Sequence, residues 1–206
     1  DPYHDRRRFH IFHFQMPHVT GRWTNLAGKP LLLPLTLEIA EQHCMVFKSD
    51  PKKGHRQLMH TLIGGFTIDQ KKRPHILFGS GHGNWGSIDQ KWMFAIGNPE
   101  TGSWSIREAP GEGEISLEAD GSLQIWSEKI LNSRDGGQTW KVITDLHKNR
   151  IGGISLVYDG VQKVRIVAHD LRPKTKEGLR KRKIFLWGDL GFVTPRPYKE
   201  TDPFNE

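Results

Sequence analysis

Two stretches of the chain carry residues whose types and spacing could do chemistry. Gly79-Ser80-Gly81-His82-Gly83-Asn84-Trp85-Gly86 sets an imidazole and an indole in a glycine-rich run. Glycine admits backbone conformations closed to other residues, so such a run can present its few side chains freely. His82 and Trp85 are therefore candidate binding residues, Trp85 for stacking on a sugar or docking on a protein. The plainer alternative tucks Trp85 into a core. The run also contains G-x-G-x-x-G from Gly81 to Gly86. That fingerprint holds a dinucleotide only where a helix begins after it, so that the pyrophosphate can sit on the helix N-terminus. Ser87 to Ile96 reads as a loop and then a strand, which argues against a nucleotide.

The second stretch is a basic segment, residues 172–183. Arg172, Lys174, Lys176, Arg180, Lys181, Arg182 and Lys183 face one acid, Glu177, in a chain whose formal net charge is +7. The rest of the sequence is near neutral, so one loop rather than a whole surface is charged. Such a loop is either a solvated connection or an electrostatic docking element. Nucleic-acid binding usually adds stacking aromatics, and this segment has none, so Arg180, Lys181 and Arg182 point to an acidic protein partner.

Other candidates are weaker. His4, His10, His13 and His18 crowd the N-terminus, but His10 and His13 would point to opposite faces of a strand, and no metal or cofactor site is expected. Cys44 is the single cysteine, which rules out an internal disulfide. No apolar run approaches the roughly 20 residues of a spanning helix, so no membrane span is expected.

The elements that must position these residues are strands. Helical periodicity is nearly absent outside Glu38 to His43. Short alternating runs bounded by Gly, Pro, Asn and Asp recur throughout. Glu114 to Trp126 alternates on both sides of Asp120-Gly121, which predicts a hairpin with a two-residue type I′ turn. Ile154 to His169 repeats the device around Asp159-Gly160. Candidate tips near Asp50, Asn98, Asp135 and Asp189 recur at spacings of 48, 37 and 54 residues, close to the roughly 40–50 residues of one propeller blade. The reading is a single all-β, propeller-like domain over 1–206, with about four blade-sized antiparallel repeats and a tail at 195–206. The ring either closes within the chain or is a partial propeller completed by another chain or segment.

Ser133-Arg134-Asp135-Gly136-Gly137-Gln138-Thr139-Trp140 matches S-x-D-x-G-x-T-W, and on it the chain resembles the sialidase-like BNR, or Asp-box, repeat family. The resemblance implies a β-propeller in which Ser133, Asp135, Gly137, Thr139 and Trp140 are structural. Asp135 would accept hydrogen bonds within its own turn. Gly137 would supply a special conformation, and Trp140 an apolar anchor. A sialidase site implied by the family needs three arginines, a Tyr nucleophile and acidic partners. The F/Y-R-I-P signature is missing. Of Tyr3, Tyr158 and Tyr198, only Tyr158 is a catalytic candidate. Glu112, Glu114, Asp120, Asp159 and Asp170 are available for a two-carboxylate glycosidase, but their spacing brings no pair into register.

These features favour a non-catalytic protein that recognises another protein, as an inhibitor or immunity-type partner of a secreted effector. The alternative is a glycan-active protein, a sialidase-like glycosidase or a lectin, and an enzyme of this kind would be a glycoside hydrolase. A secreted or periplasmic location goes with either reading.

Overall fold

The computed structural model describes residues 9–16, 21–49, 58–83, 89–146, 151–156, 165–170, 184–188 and 191–193. The architecture is all-β: the described residues form four antiparallel sheets and one short helix. It divides into two compact units, Asp1–Ile125 with Asn132–Lys141, and Trp126–Leu131 with Val142–Glu206.

The first unit opens with β1 (Ile11–Phe12), paired antiparallel with β2 (Met45–Phe47). Bridges Gln15↔Thr24 and Thr24↔Pro30 continue the pattern outward. Helix α1 (Leu37–His43) precedes β2, and the Thr36 hydroxyl accepts from the Ile39 amide at 3.3 Å as its N-cap. The sequence expectation of a turn or two over Glu38 to His43 is met by this helix.

The largest sheet is an up-and-down meander of β3 (Leu58–Ile68), β4 (Pro74–Gly83), β5 (Asp89–Asn98) and β6 (Ser103–Glu108), neighbours in chain order. β4 lies inside it and is buried from Pro74 to Gly81. On one face Ile76, Phe78 and Ala95 pack with Ile11 and Val46. On the other, glycines let the next sheet come close. A Cβ on Gly64 would sit 2.5 Å from the Gly113 carbonyl oxygen and 2.7 Å from the Trp92 ring, and one on Gly65 would sit 2.5 Å from the Ile115 nitrogen. Both glycines fall where the β3–β4 register shifts, between Ile63 and Gly65.

A second meander comprises β7 (Glu114–Leu117), β8 (Leu123–Trp126), β9 (Lys129–Ser133) and β10 (Lys141–Asp145). A third comprises β11 (Ile151–Leu156), β12 (Ile166–Asp170), β13 (Ile184–Gly188) and β14 (Gly191–Val193). The core of the second unit gathers Trp126, Ile130, Leu146, Ile166 and Ala168, with Leu156 and Phe185 against them.

The hairpin at Glu114–Trp126 forms, but its turn differs from the expected one. Asp120 keeps a negative φ and only Gly121 is left-handed, at φ 80°. The Gly121 amide donates to the Glu118 carbonyl at 2.9 Å and the Glu118 amide to that of Ser122 at 2.8 Å. This is a three-residue turn with one left-handed position, the next most favoured hairpin connection. Two other turns repeat it. Gly28 donates to Asn25 and Asn25 to Lys29; Lys72 donates to Asp69 and Asp69 to Arg73. Gly28 and Lys72 hold the left-handed position, at φ 75° and 60°.

Three of the four sheets are four-stranded meanders and the fourth has two strands. No closed ring is found among the described residues, so the propeller arrangement itself is not established. The expected tips at Asp50, Asp159-Gly160 and Asp189 lie outside the described residues.

Candidate functional site

The first five residues of the glycine-rich run, Gly79 to Gly83, fold into strand rather than loop. Gly79 to Gly83 is the second half of β4, in register with both neighbours: Gly79 opposite Leu62 and Trp92, Gly81 opposite His60 and Gln90, His82 opposite Met59 and Asp89. β5 begins at Asp89, so among the described residues no helix follows the run. Without a helix N-terminus there, the run offers no seat for a pyrophosphate, as expected. The small residues are required by close packing. The Gln90 side chain lies across Gly79, where any Cβ would overlap its amide. Its Nε2 is buried without a hydrogen-bond partner. The hydroxyls of Thr61 and Ser80 meet at 3.4 Å in the same buried end of the sheet. An imidazole-bearing position thus lies opposite a carboxylate-bearing one, beside a floor of glycine backbone and amide.

The opposite end of the sheet carries a tight polar cluster. Asp69 Oδ1 accepts the amides of Lys71 and Arg73, each at 2.9 Å. Its Oδ2 accepts Arg73 Nε at 2.7 Å and His75 Nε2 at 3.1 Å. Burial alone would raise the Asp69 carboxyl, but the Arg73 amide, the His75 imidazole and the Arg73 guanidinium overcome it and bring it down to about 2. His75 is 1% exposed, and burial pushes its imidazole below the usual range despite the Asp69 bond. His75 is therefore neutral at pH 7, with Nε2 the donor and Nδ1 left buried and unpartnered. A cavity of about 130 Å³ adjoins this turn, lined by Asp69, Gln70, Lys71, Arg73, Leu117 and Gly121.

Ser133 to Trp140 forms a self-bonded turn. Ser133 Oγ donates to Asp135 Oδ1 at 2.8 Å and accepts the Gly137 amide at 2.8 Å. Asp135 also accepts the amides of Gln138 and Thr139 and, at 2.6 Å, the Thr139 hydroxyl. Bonds from the Thr139 hydroxyl and amide and from Ser133 hold the Asp135 carboxyl well below the ordinary range. Gly137, at φ 85°, lies against the Phe94 ring, which no larger residue would permit. Trp140 meets the same ring edge-on, with centroids 5.8 Å apart.

The structure brings few of the other sequence candidates together. His82 has a register position but its side chain is not described. Trp85, Tyr158, Arg180, Lys181, Arg182 and the whole basic segment lie outside the described residues, as does the tail at 195–206. His10 exchanges hydrogen bonds with Ser49, the His10 amide donating to Ser49 Oγ at 3.1 Å and the Ser49 amide to His10 Nδ1 at 3.2 Å. His13 lies edge-on to Trp104, with centroids 5.3 Å apart. The Asp69–Arg73–His75 cluster was missed, although an Asp at the first position of a turn, followed by cations, was a readable signal. Among the described residues, no group of three or more His, Cys, Asp or Glu side chains could hold a metal ion, and no helix is long and apolar enough to cross a membrane.

No family model matches the chain. It is similar to the ulvan lyase PL25 of Pseudoalteromonas sp. (strain PLSV), with 27% identity over 78 residues, 38% of this chain and 14% of that protein. Among solved structures it resembles a PL25 ulvan lyase bound to -[GlcA(1-4)Rha3S]-, with a TM-score of 0.67 and 19% identity over 93% of this chain and 45% of that one. A second PL25 ulvan lyase structure gives a TM-score of 0.64 at 19% identity. The polysaccharide lyase Uly1 gives 0.53 at 10% identity, over 89% of this chain and 37% of that one. The chain thus spans less than half the length of the proteins it resembles.

These findings overturn two expectations. The likeness is to ulvan lyases, not to the sialidase-like BNR family. The Ser133–Trp140 turn misled because its hydrogen bonds are local: any antiparallel hairpin with a Ser, an Asp and a Thr at those offsets can form them. The reading as a non-catalytic inhibitor or immunity-type protein is overturned as well, since the proteins that the chain resembles are polysaccharide lyases. The acidic protein partner loses its support with it.

Proposed function

We propose that this chain is part of a polysaccharide lyase acting on an acidic glycan outside the cell. The observation that carries the reading is the fold likeness, over 93% of the chain, to an ulvan lyase holding a glucuronate–sulfated rhamnose segment. The sheets are read as blades of a propeller of which this chain supplies a part. The basic segment, residues 172–183, which carries nearly all of the net charge of +7, suits a polyanionic substrate.

The chemistry is a β-elimination. A base removes the proton at C5 of a uronate, next to the carboxyl group. The electron pair forms the C4–C5 double bond as the C4–O bond breaks, and an acid protonates the departing oxygen. Developing charge on the carboxylate must be neutralised by nearby donors or cations. His82 and Tyr158 are this chain's candidates for proton transfer, since imidazole and phenol both serve as acid or base. Arg180, Lys181 and Arg182 are the candidates for holding sulfate and carboxylate groups.

Incubation with a sulfated glucuronate–rhamnose polymer should produce the ultraviolet absorbance of an unsaturated uronate. His82→Ala and Tyr158→Phe should lower kcat, and reversing Arg180, Lys181 and Arg182 to Glu should raise KM. No absorbance and no binding of the polymer would remove the proposal.

A further inference from the structure

Two hairpin tips of the first unit close on one cavity. The β3–β4 turn supplies Asp69, Gln70, Lys71 and Arg73, and the β7–β8 turn supplies Leu117 and Gly121, around a space of about 130 Å³. One water takes roughly 10–15 Å³ of such space, so there is room for several, or for one sulfate or carboxylate group. Gly121 makes its part of the wall from bare backbone.

The charge on these walls suits an anion. Lys71, Lys72 and Arg73 follow one another on the β3–β4 turn, against Asp69. Asp69 is already committed to the amides of Lys71 and Arg73, to Arg73 Nε and to His75 Nε2. It therefore positions the Arg73 guanidinium rather than repelling a ligand, and the Arg73 side chain, held through Nε, is still 38% exposed. The acids of the facing turn are bonded as well. Asp120 accepts the Ser122 amide at 3.0 Å and Glu118 the Ser116 hydroxyl at 2.7 Å. Arg134 adds a further positive charge beside Asp120.

Lys72 is a second sign. Three turns share one geometry, and their left-handed position falls to Gly28, Gly121 and Lys72. Glycine takes that position freely, whereas a residue with a Cβ is strained there. Strain that a fold retains gathers where a site uses it. Here it keeps a third consecutive cation on the tip.

We propose that this cavity is a second anion site, which takes a sulfate ester or a uronate carboxylate from a stretch of polymer away from the reacting sugar. Lysine serves as a point charge and arginine as a fork for such groups. The turn leads into β4 at His75, and His82 lies further along the same strand, about 23 Å away. The two positions therefore hold different sugars. The ligand class rests on the reading of the chain as glycan-active; the site rests on the cavity and its cations.

Backbone amide spectra of the whole chain, titrated with the sulfated glucuronate–rhamnose disaccharide, test it. Saturable shifts are expected at Gln70–Arg73 and Leu117–Gly121, and none there with a neutral rhamnose oligomer. If a desulfated disaccharide shifts the same amides, the carboxylate is the group held; if it does not, the sulfate is. In a gel containing the polymer, Lys71→Ala with Lys72→Gly should weaken retention about tenfold and melt no lower than the parent. Lys29→Ala, on a matching turn, is the control and should be retained like the parent. Shifts at both tips without turnover of the polymer would support this site and remove the lyase reading alone. Turnover without those shifts, equal shifts with the neutral oligomer, or unchanged retention of the double variant would overturn the site.

Discussion

The Asp69 carboxylate and the His75 imidazole meet at 3.1 Å across the β3–β4 hairpin, an ionised acid bonded to a neutral base. His75 lies at the start of the strand that carries the glycine-rich run, so this bond fixes where β4 enters the sheet. Its partners at Asp69 are two backbone amides and a guanidinium, and Asp69 is only 10% exposed.

This cluster predicts acid sensitivity of a definite sign. Asp69 titrates near 2 in the fold against an ordinary value of 3.8. The stabilisation is therefore fully present above about pH 4 and is lost as pH falls towards 2, with a size of about 2 kcal/mol. His75 acts in the same sense, because its lowered value means that acid must charge a buried ring. Urea unfolding of Asp69→Asn against the parent should show a difference at pH 7 that shrinks towards pH 2. A difference that persists unchanged at low pH would contradict the assignment.

Lys72 holds a left-handed conformation at φ 60°, where the matching turns use Gly28 and Gly121. A residue with a Cβ is strained there. Lys72→Gly should raise stability by about 1 kcal/mol, against the usual cost of introducing glycine. Thermal unfolding gives the sign directly.

Gly65→Ala should be strongly destabilising. Its Cβ would sit 2.5 Å from the Ile115 nitrogen, and backbone does not swing aside as a flexible side chain can. A loss of about 2–3 kcal/mol is expected. Gly111→Ala is the control, since nothing lies within 4 Å of a Cβ there. Equal losses in the two variants would show that the sheets do not approach as described.

Ser133→Ala should cost roughly 2 kcal/mol, because it leaves the buried Gly137 amide without its acceptor. Asp135→Ala should lower the melting temperature too, by releasing the Gln138 and Thr139 amides. Neither should alter turnover if the turn is structural. A variant that melts normally but loses activity would move the turn into the site.

The sequence was most readable where structure is local. Alternation and turn residues marked the hairpin at Glu114–Trp126, and S-x-D-x-G-x-T marked the turn whose bonds stay within it. The same locality limited the reading. Nothing in Ser133–Trp140 reports which family a hairpin belongs to, and the family reading drawn from it was wrong. Asp120-Gly121 suggested a two-residue turn because the sequence does not show that Glu118 and Ser122 close a longer one. Gly79 looked like loop punctuation, whereas its reason is the Gln90 side chain from a neighbouring strand. Gln90 is distant enough in sequence to leave no pattern. His75 and Asp69 were overlooked because a buried histidine and a hairpin aspartate look ordinary until a register places them together.

The most direct test of the central claim is the mass of the products released from a sulfated glucuronate–rhamnose polymer. Elimination leaves one fragment with a double bond and adds no water; hydrolysis adds one water for each bond cut. Unsaturated oligosaccharides are expected, absent when His82 is replaced by Ala. Saturated, water-added fragments would contradict a lyase, and an intact polymer that the chain does not bind would contradict any glycan-active reading.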